Sequence, residues 1–493
     1  MKVQWLEKTK EQNLYEQVAE RLRALIGEGT LQPGDRLPSV RKLRQQFSVS
    51  ISTVLEAYRL LEDEGLITAR PQSGYYVKHI LPVPPALPQI STPPPRAYAV
   101  DTSVAFQVRA AMQHPEIIQL GAAISSPDLF PSQALNRLMG QVMRAEPQKV
   151  HGYGVPPGCE ALRHEVARRL MDAGCSVVPD QILSTNGTTE AVYLGLRVVT
   201  QPGDTVAIES PCYYGLLETL AALHLKALEI PTHPVDGISL EYLETALAQG
   251  KVAACALVSN FSNPSGHCMS DQKKKQLVAL LNHYQIPLIE DDVYGEIYFE
   301  AARPKAIKAF DTEGLVLYCA SVSKILSPGL RVGWLVPGRY QGQVELLKIA
   351  VNVTTAIAPQ LTVAAFLANG GYDRHLRHLR RAYQTQMARM TQAICEYFPP
   401  ETRVSRPQGG HVLWLELPPH FDSMILYREA LERQISIAPG IIFSPSESYR
   451  NCLRLNSGLL WSSELDHAIQ TLGLLAKQQL ARQFLAQTHE SSS

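Results

Sequence analysis

The chain of 493 residues lacks several features that would assign it to a simple class. Basic and acidic residues balance at 46 each, so the overall charge indicates no particular partner. No apolar run reaches the roughly 18 residues of a membrane-spanning helix, and the N-terminal residues contain no signal-peptide core. The sequence therefore predicts a cytoplasmic protein without a membrane segment.

Paired cysteines are also absent. Without a Cys-x-x-Cys pair, the sequence indicates neither a zinc site nor a disulfide framework, and we expect no bound metal. The eight cysteines stand singly, at positions 159, 175, 212, 255, 268, 319, 395 and 452. This spacing fits a reducing compartment.

Proline is concentrated in one segment, with seven prolines between residues 82 and 95. Because proline fixes φ and lacks a backbone donor, this segment is predicted to be an extended, semi-rigid spacer, with a long loop inside one domain as the alternative. A chain of this length is expected to form several domains. The predicted divisions are a DNA-binding domain over 1–78, a linker over 79–104, a large domain over 105–478, and a tail over 479–493 that is disordered from Thr488.

The first 78 residues carry the pattern of a small helical domain with a hairpin. Apolar residues with helical period predict a helix over 14–26, a second helix after Ser39, and a third that ends at Gly65. Two short extended runs, 66–69 and 75–77, complete a winged helix-turn-helix. A helical interaction module is the alternative.

The third helix is the candidate reader of double-stranded DNA. Ser50 precedes it as N-cap, and its first turn exposes Ser52 and Thr53, short hydroxyl side chains that fit a major groove. Arg41, in the second helix, is placed to meet a phosphate. The wing contributes two further candidates, Arg70 and Gly74. Twelve basic and ten acidic residues give this domain a net charge of only +2, so dimerisation would have to supply part of the affinity.

These residues also resemble a known family. The GntR-type winged helix is similar in Leu37-Pro-Ser-Val-Arg41, Val49-Ser, Thr53-Val, Glu64-Gly65 and Arg70-Pro-Gln-Ser-Gly74, over essentially all of residues 12–78. One departure is Ile51, where the family usually has arginine. The resemblance therefore implies DNA binding in which the base or phosphate contact normally made at this position is lost and the operator preference differs.

Beyond the prolines, buried apolar runs alternate with helical patterns. Strands are predicted at 206–208, 253–259, 287–289 and 315–319, and a helix at 271–284. This alternation predicts an α/β domain with a mostly parallel sheet. Ligands of such sheets bind at the carboxyl ends of the strands.

Polar clusters lie at those ends. They occupy residues 184–190, 260–266, 290–294 and 321–324, and Arg331 follows seven residues later. Taken alone, each cluster is weak evidence for a functional site. Most lysines on loops are surface residues, paired acids can bind a metal, and Asn-Pro-Ser-Gly is usually a turn. Ser-x-x-Lys also occurs in serine acyl-transferases, but these need a Lys-Thr-Gly strand that the sequence lacks.

Together the clusters fit pyridoxal 5'-phosphate, which needs an amine for a Schiff base, a carboxylate at its ring nitrogen, donors to its phenolic oxygen and a phosphate site. Lys324 would be the amine, Asp291 the carboxylate and Tyr294 a phenolate donor, the three predicted catalytic residues. The other predicted cofactor contacts are Asn263 at the phenolate, Tyr213 on the ring, and Gly187, Thr188, Thr189, Ser321 and Arg331 at the phosphate. A tyrosine such as Tyr213 is more often a core residue.

The same set resembles the fold-type I aminotransferases over roughly residues 105–478. The shared motifs, in family order, are Gly121, Phe130-Pro, Tyr153-Gly, Gly158, Leu162-Arg, Asn263-Pro-Ser-Gly, Asp291-x-x-Tyr294, Ser321-x-Ser-Lys324, Arg331-x-Gly-Trp and Leu453-Arg454-Leu. The resemblance implies substrate contacts by Gly121 and Arg454, with a surface ion pair as the alternative for Arg454. It also implies that Tyr153 reaches the site of a second subunit.

A winged helix joined by prolines to such a domain resembles the MocR-type subgroup of GntR-family regulators. The resemblance implies a head-to-tail homodimer that binds a promoter operator and senses an amine or amino acid through the cofactor aldimine. An active aminotransferase with an accessory DNA-binding domain is the alternative. A DNA-binding scaffold with an inactive pocket is a third, against which the complete set of site residues argues.

Overall fold

A computed structural model describes residues 13–27, 30–31, 34–63, 66–70, 73–77, 84–111 and 114–490. The chain divides into a small unit, Met1–Pro84, and a large unit, Pro85–Ser493. Among the described helices, none combines the length and the apolar character needed to cross a bilayer.

The small unit is a three-helix fold with a two-stranded hairpin. Its elements are α1 (Leu14–Gly27), α2 (Val40–Phe47), α3 (Ile51–Asp63), β1 (Ile67–Arg70) and antiparallel β2 (Gly74–Val77). The Ser39 side chain caps α2 by accepting from the Lys42 amide, and the core contains Leu43, Val54 and Tyr58. The predicted helix end at Gly65 lies outside the described residues.

The large unit is built on a mostly parallel sheet. Its strands are β3 (Ala97–Ala99), β5 (Leu183–Thr185), β6 (Thr205–Ser210), β7 (Lys226–His233), β8 (Gly237–Ile238), β9 (Ala254–Leu257), β10 (Leu288–Asp291), β11 (Val316–Ser321) and β12 (Gly333–Val336). The order is β3-β7-β6-β9-β10-β11-β12-β5, with β8 beside β7, and the run from β7 to β11 is parallel. These strands are buried on both faces, which explains their nearly continuous apolar sequences. The predicted fold class is confirmed.

Helices cover both faces of this sheet and make up much of the rest of the large unit. They are α4 (Ser103–Ala110), α5 (Ser132–Ala145), α6 (Pro147–His151), α7 (Glu160–Leu170), α8 (Thr188–Val199), α9 (Tyr214–Ala222), α10 (Leu240–Ala248), α11 (Asp271–Tyr284), α12 (Gln341–Asn352), α13 (Ile357–Ala368), α14 (Gly371–Tyr397), α15 (Ser423–Leu431) and α16 (Ser463–Glu490). Helix α16 enters the segment expected to be disordered from Thr488. No glycine or proline follows Gly473 before Glu490 to end it.

A second, antiparallel sheet follows in the chain. The remaining strands are β4 (Ile118–Gln119), β13 (Arg403–Val404), β14 (Val412–Glu416), β15 (Ile435–Ser436), β16 (Ala438–Pro439) and β17 (Cys452–Asn456). The order in this sheet is β13-β14-β17-β16, and a separate parallel pair joins β15 to β4. Strand β17 carries Arg454, opposite Trp414 of β14.

Much of the predicted linker is fastened to the large unit. The Gln89 amide donates to Glu416 Oε2 at 2.7 Å, and the Thr232 amide donates to Ser91 Oγ at 2.7 Å. Strand β3 then pairs with the edge strand β7. We call residues 85–99 the strap. The prolines keep most of the strap out of helices and strands. Polar groups of the strap, such as the Gln89 amide and the Ser91 hydroxyl, form hydrogen bonds with the rest of the large unit.

Candidate functional site

A cavity of about 350 Å³ opens at the carboxyl edge of the parallel strands. Six separate chain segments meet in its wall. They contribute nine of the predicted residues: Thr188, Thr189, Tyr213, Asn263, Asp291, Tyr294, Ser321, Lys324 and Arg331. The parallel sheet brings them together because its strands all end at this edge.

Lys324 follows β11 and projects to the cavity wall. Its Nζ donates to the Ala123 carbonyl at 2.7 Å. Burial, reinforced by the charge of Arg454 and opposed by that of Asp291, lowers the pKa of Lys324 to about 8. A substantial fraction of this amine is therefore neutral near physiological pH, as a nucleophile requires.

Asp291 ends β10 on the same wall. Its Oδ1 accepts from the Val293 amide at 3.1 Å, and within the described residues it makes no ion pair. Burial, with the nearby charge of Asp292, raises the pKa of Asp291 to about 7. The Val293 amide and the charge of Lys324 offset this rise in the pKa of Asp291 only in part.

The N-terminus of α8 forms a collection of donors. Gly187 caps this helix with φ +79°, and a Cβ there would collide with the Arg331 guanidinium. Arg331 donates to Ser323 Oγ at 3.3 Å and to the Asn186 carbonyl at 2.8 Å. The Thr188 hydroxyl is buried without a hydrogen-bond partner in the described part of the chain. Free helix amides, a hydroxyl and a guanidinium together favour an anion.

Arg454 lies fully buried behind the cavity wall. It donates to Asn263 Oδ1 at 3.1 Å and to the Gly121 carbonyl, and Asn263 Nδ2 reaches the Tyr294 hydroxyl at 3.4 Å. No carboxylate of the described residues pairs with it, so a surface ion pair is excluded. A buried, unpaired guanidinium strongly favours an anionic ligand.

The two remaining predicted tyrosines differ in their relation to the cavity. Tyr153 is 94% exposed and does not line the cavity of its own chain. Tyr213 does line the cavity, where its ring lies 4.9 Å from that of Tyr214. Burial raises the pKa of the Tyr213 hydroxyl, so it stays protonated.

Sequence reasoning missed three polar residues of the cavity wall, Thr219, Ser323 and Arg109. Ser323 lies within the Ser321-x-Ser-Lys324 motif, so its position beside the lysine was a usable signal. Arg109 comes from α4, donates to Glu218 at 2.5 Å and has no local motif. Only the fold could bring Arg109 to this wall.

The small unit presents its candidate residues at the surface. Ser50 caps α3, since its Oγ accepts from the Thr53 amide at 3.0 Å. The same oxygen lies 2.7 Å from Ser52 Oγ and 2.8 Å from Thr53 Oγ1. The two hydroxyls expected to read DNA are therefore engaged within the cap.

The expected phosphate contacts lie on α2 and the hairpin. Arg41 is exposed in the first turn of α2. Gly74 begins β2 with φ +107°, a conformation that favours glycine. Arg70 pairs with Gly74 across the hairpin, but its side chain lies outside the described part of the structure.

Comparisons with known proteins agree with both units. The family "Bacterial regulatory proteins, gntR family" matches residues 14–77, and "Aminotransferase class I and II" matches residues 116–472. Domains of the second family typically bind pyridoxal phosphate. The sequence-based recognition of the two families is confirmed.

Individual relatives share the same architecture or its larger part. The uncharacterized HTH-type transcriptional regulators YdcR and YjiR of Escherichia coli K12 are 41% and 40% identical, over 94% and 93% of this chain and 99% and 98% of theirs. The crystal structure of a multiple substrate aminotransferase from Thermococcus profundus matches with a TM-score of 0.72 at 26% identity, over 78% of this chain and 96% of that one. The chain therefore belongs to the GntR-family transcriptional regulators that carry a class I and II aminotransferase domain, an architecture of the MocR type.

Proposed function

We propose that this regulator binds pyridoxal phosphate in the cavity of its large unit and senses an amine or amino acid there. The observation that carries the proposal is the convergence of Lys324 and Asp291, each with its pKa displaced toward neutrality, on one cavity wall. Displaced pKa values of this kind are typical of functional sites. A regulator with these properties would act in the cytoplasm.

The polar groups of the cavity fit this cofactor. The unpartnered Thr188 hydroxyl, the α8 amides and Arg331 supply donors for a phosphate, with Ser321 and Ser323 in the same wall. A Cβ at Gly187 would fill the space that the guanidinium occupies. The phosphate would supply the hydrogen-bond partner that the buried Thr188 hydroxyl lacks within the described residues.

When bound, pyridoxal phosphate supplies an aldehyde that condenses with amines and a ring that withdraws electrons from them. Lys324 Nζ is the amine placed to hold the cofactor. Asp291 would hold a proton at the ring nitrogen, and that positive charge would lower the pKa of the carboxyl. Asn263 and Tyr294 would donate to the phenolic oxygen.

Arg454 would give the site its preference among effectors. Its guanidinium is buried and has no carboxylate partner in the described residues, so an amino acid's carboxylate would complete it. The Gly121 carbonyl would orient the guanidinium by accepting from it. Amino acids should therefore bind more tightly than the corresponding amines.

A second copy of the chain would complete the assembly. Tyr153 extends into solvent, and α12 and the residue after it expose large apolar side chains: Leu346, Ile349, Val351 and Val353. Such a patch is typical of a protein interface. A head-to-tail homodimer, with Tyr153 entering the partner's site, would cover it and double the DNA-binding surface.

A working aminotransferase is the second candidate. Solved aminotransferases are 26–28% identical over at least 95% of their own chains, and the cavity retains an amine, a carboxylate and an anion site. In that case the small unit would be an accessory DNA-binding domain.

The two candidates are separated by measuring both activities on one preparation. The full chain is titrated with its own promoter fragment, with and without pyridoxal phosphate and with amino acids added singly, and turnover is measured with a keto-acid acceptor. A regulator gives specific DNA binding that at least one amino acid changes, with slow or no turnover. Fast turnover without specific DNA binding would reject that role. Lys324→Ala, which should abolish the change in visible absorption that the parent protein causes in added pyridoxal phosphate, is the control for the site.

A further inference from the structure

The recognition helix of the small unit has an unusual surface for a DNA-binding element. Ile51 and Leu55 are 45% and 44% exposed, and they are the exposed large apolar side chains of the described part of this unit. Both lie on α3, four residues apart, and therefore on one face of its N-terminal half. This is the half of a helix-turn-helix reader that meets base edges.

The surrounding sequence excludes most other ways of reading a base. Residues 48–58 contain no arginine, lysine, histidine, asparagine or glutamine. The bidentate contacts that distinguish guanine and adenine are therefore unavailable from this stretch. The hydroxyls of Ser52 and Thr53 are already engaged by Ser50 Oγ.

One acidic side chain remains on this part of the helix. Glu56 could accept from a cytosine amino group, but it lies 3.7 Å from the guanidinium of Arg59. What α3 offers a major groove is therefore mainly branched apolar surface. The C5-methyl group of thymine is the apolar feature of that groove.

We propose that Ile51 and Leu55 contact thymine methyl groups and select operators with thymines one or two base steps apart. Their β-carbons are about 5–6 Å apart at this spacing. Base pairs are stacked about 3.4 Å apart, so the two side chains reach methyl groups one or two steps from each other. The partner of this patch is the DNA to which the GntR-type domain binds, and the inference does not depend on the cofactor or the effector.

The test removes the methyl groups without changing base pairing. Full-length protein selects duplexes from a randomised library, and the enriched duplex is resynthesised with deoxyuridine in place of thymidine. Affinities for both duplexes are measured by fluorescence anisotropy at one salt concentration. Losing a buried methyl group should weaken parental binding about three- to fivefold per contact.

The double variant Ile51→Ala/Leu55→Ala should bind both duplexes alike, with the salt dependence of the parent. Ile51→Val, which keeps a branched apolar side chain, should retain most of the discrimination and serves as the matched control. The proposal is overturned if the parent does not distinguish the duplexes, if the double variant discriminates as well as the parent, or if no sequence is enriched. It is also overturned if the double variant changes oligomeric state while the discrimination persists, because the patch would then contact protein.

Discussion

The two units hold their candidate functional side chains in opposite ways. In the large unit, Asn263, Tyr294 and Arg454 are buried, and Asp291 and Lys324 at the cavity wall have displaced pKa values. In the small unit, Arg41 and Ile51 are exposed. A small ligand must be enclosed and thereby desolvated, whereas a DNA duplex is met at a surface.

This difference separates the energetics of the two sites. Enclosing charged groups costs folding free energy that a ligand can recover, so cavity substitutions should change stability and binding together. Substitutions on an exposed helix face usually change stability by less than about 0.5 kcal/mol. Substitutions at the exposed positions of the small unit should therefore change DNA binding with little effect on stability.

The largest effect should follow from Asp291→Asn in the cofactor-free protein. Because burial raises the pKa of Asp291 to about 7, its charged form destabilises the folded large unit at pH 8. Removing that charge should raise the free energy of unfolding by roughly 2–4 kcal/mol. Thermal melts of the large unit measure this, and titration with pyridoxal phosphate should show weaker binding by the stabilised variant.

The pH dependence has a definite sign. Between the ordinary aspartate pKa of 3.8 and about 7, the folded state binds more protons at Asp291 than the unfolded state, so this contribution to stability is lost as pH rises through that window. The share of the slope that comes from Asp291 should be absent in Asp291→Asn, so the variant's stability should fall less steeply than the parent's over this window. Asp311→Asn is the matched control, because Lys308 and backbone amides, against the effect of burial, hold the pKa of Asp311 below its usual value. That variant should be destabilised, and stabilisation of both or neither would contradict the account.

Sequence predicted the parts of this comparison that depend on local pattern. The alternation of apolar runs located β6, β9, β10 and β11, and three polar clusters lie at or just beyond the ends of β9, β10 and β11. Strand β5, where the first cluster begins, was not predicted. A parallel sheet then determines that the clusters converge. The cavity-lining residues were predictable because the proposed chemistry requires particular side chains at strand ends.

Contacts between distant segments were not predictable in the same way. Prolines predicted an extended segment, but nothing local indicates that Gln89 of the strap binds Glu416. Arg109 likewise reaches the cavity only through the packing of α4. On α3, sequence favoured Ser52 as a reader, whereas the geometry of the cap engages its hydroxyl. A serine hydroxyl at a helix start can bond either to the cap or to a ligand. Which of the two it does depends on the local geometry and is not determined by the sequence pattern.

A smaller effect should come from Gly187→Ala. This variant tests whether the proposed anion site at α8 needs the close approach of Arg331 to Gly187. The new Cβ would displace the Arg331 guanidinium, so cofactor affinity should fall roughly 100-fold, about 2.7 kcal/mol. Gly203→Ala is the matched control, because Gly203 also has positive φ but no atom lies within 4 Å of its Cβ position. Both variants carry backbone strain of about 1 kcal/mol. Equal loss of cofactor affinity in the two would remove the argument for a phosphate cradle at α8.

The smallest effect should come from Arg41→Ala in the small unit. Arg41 is exposed in α2 and is expected to meet a phosphate, so its loss should weaken binding to all DNA sequences alike by several-fold. The slope of log affinity against log salt should become shallower by about 0.9, and the melting temperature should stay unchanged. Arg21→Ala, which removes an exposed arginine of α1, should leave the slope as in the parent. If Arg41→Ala and Arg21→Ala give the same salt slope, α2 does not face the duplex. Only the loss of a phosphate contact should make the slope shallower.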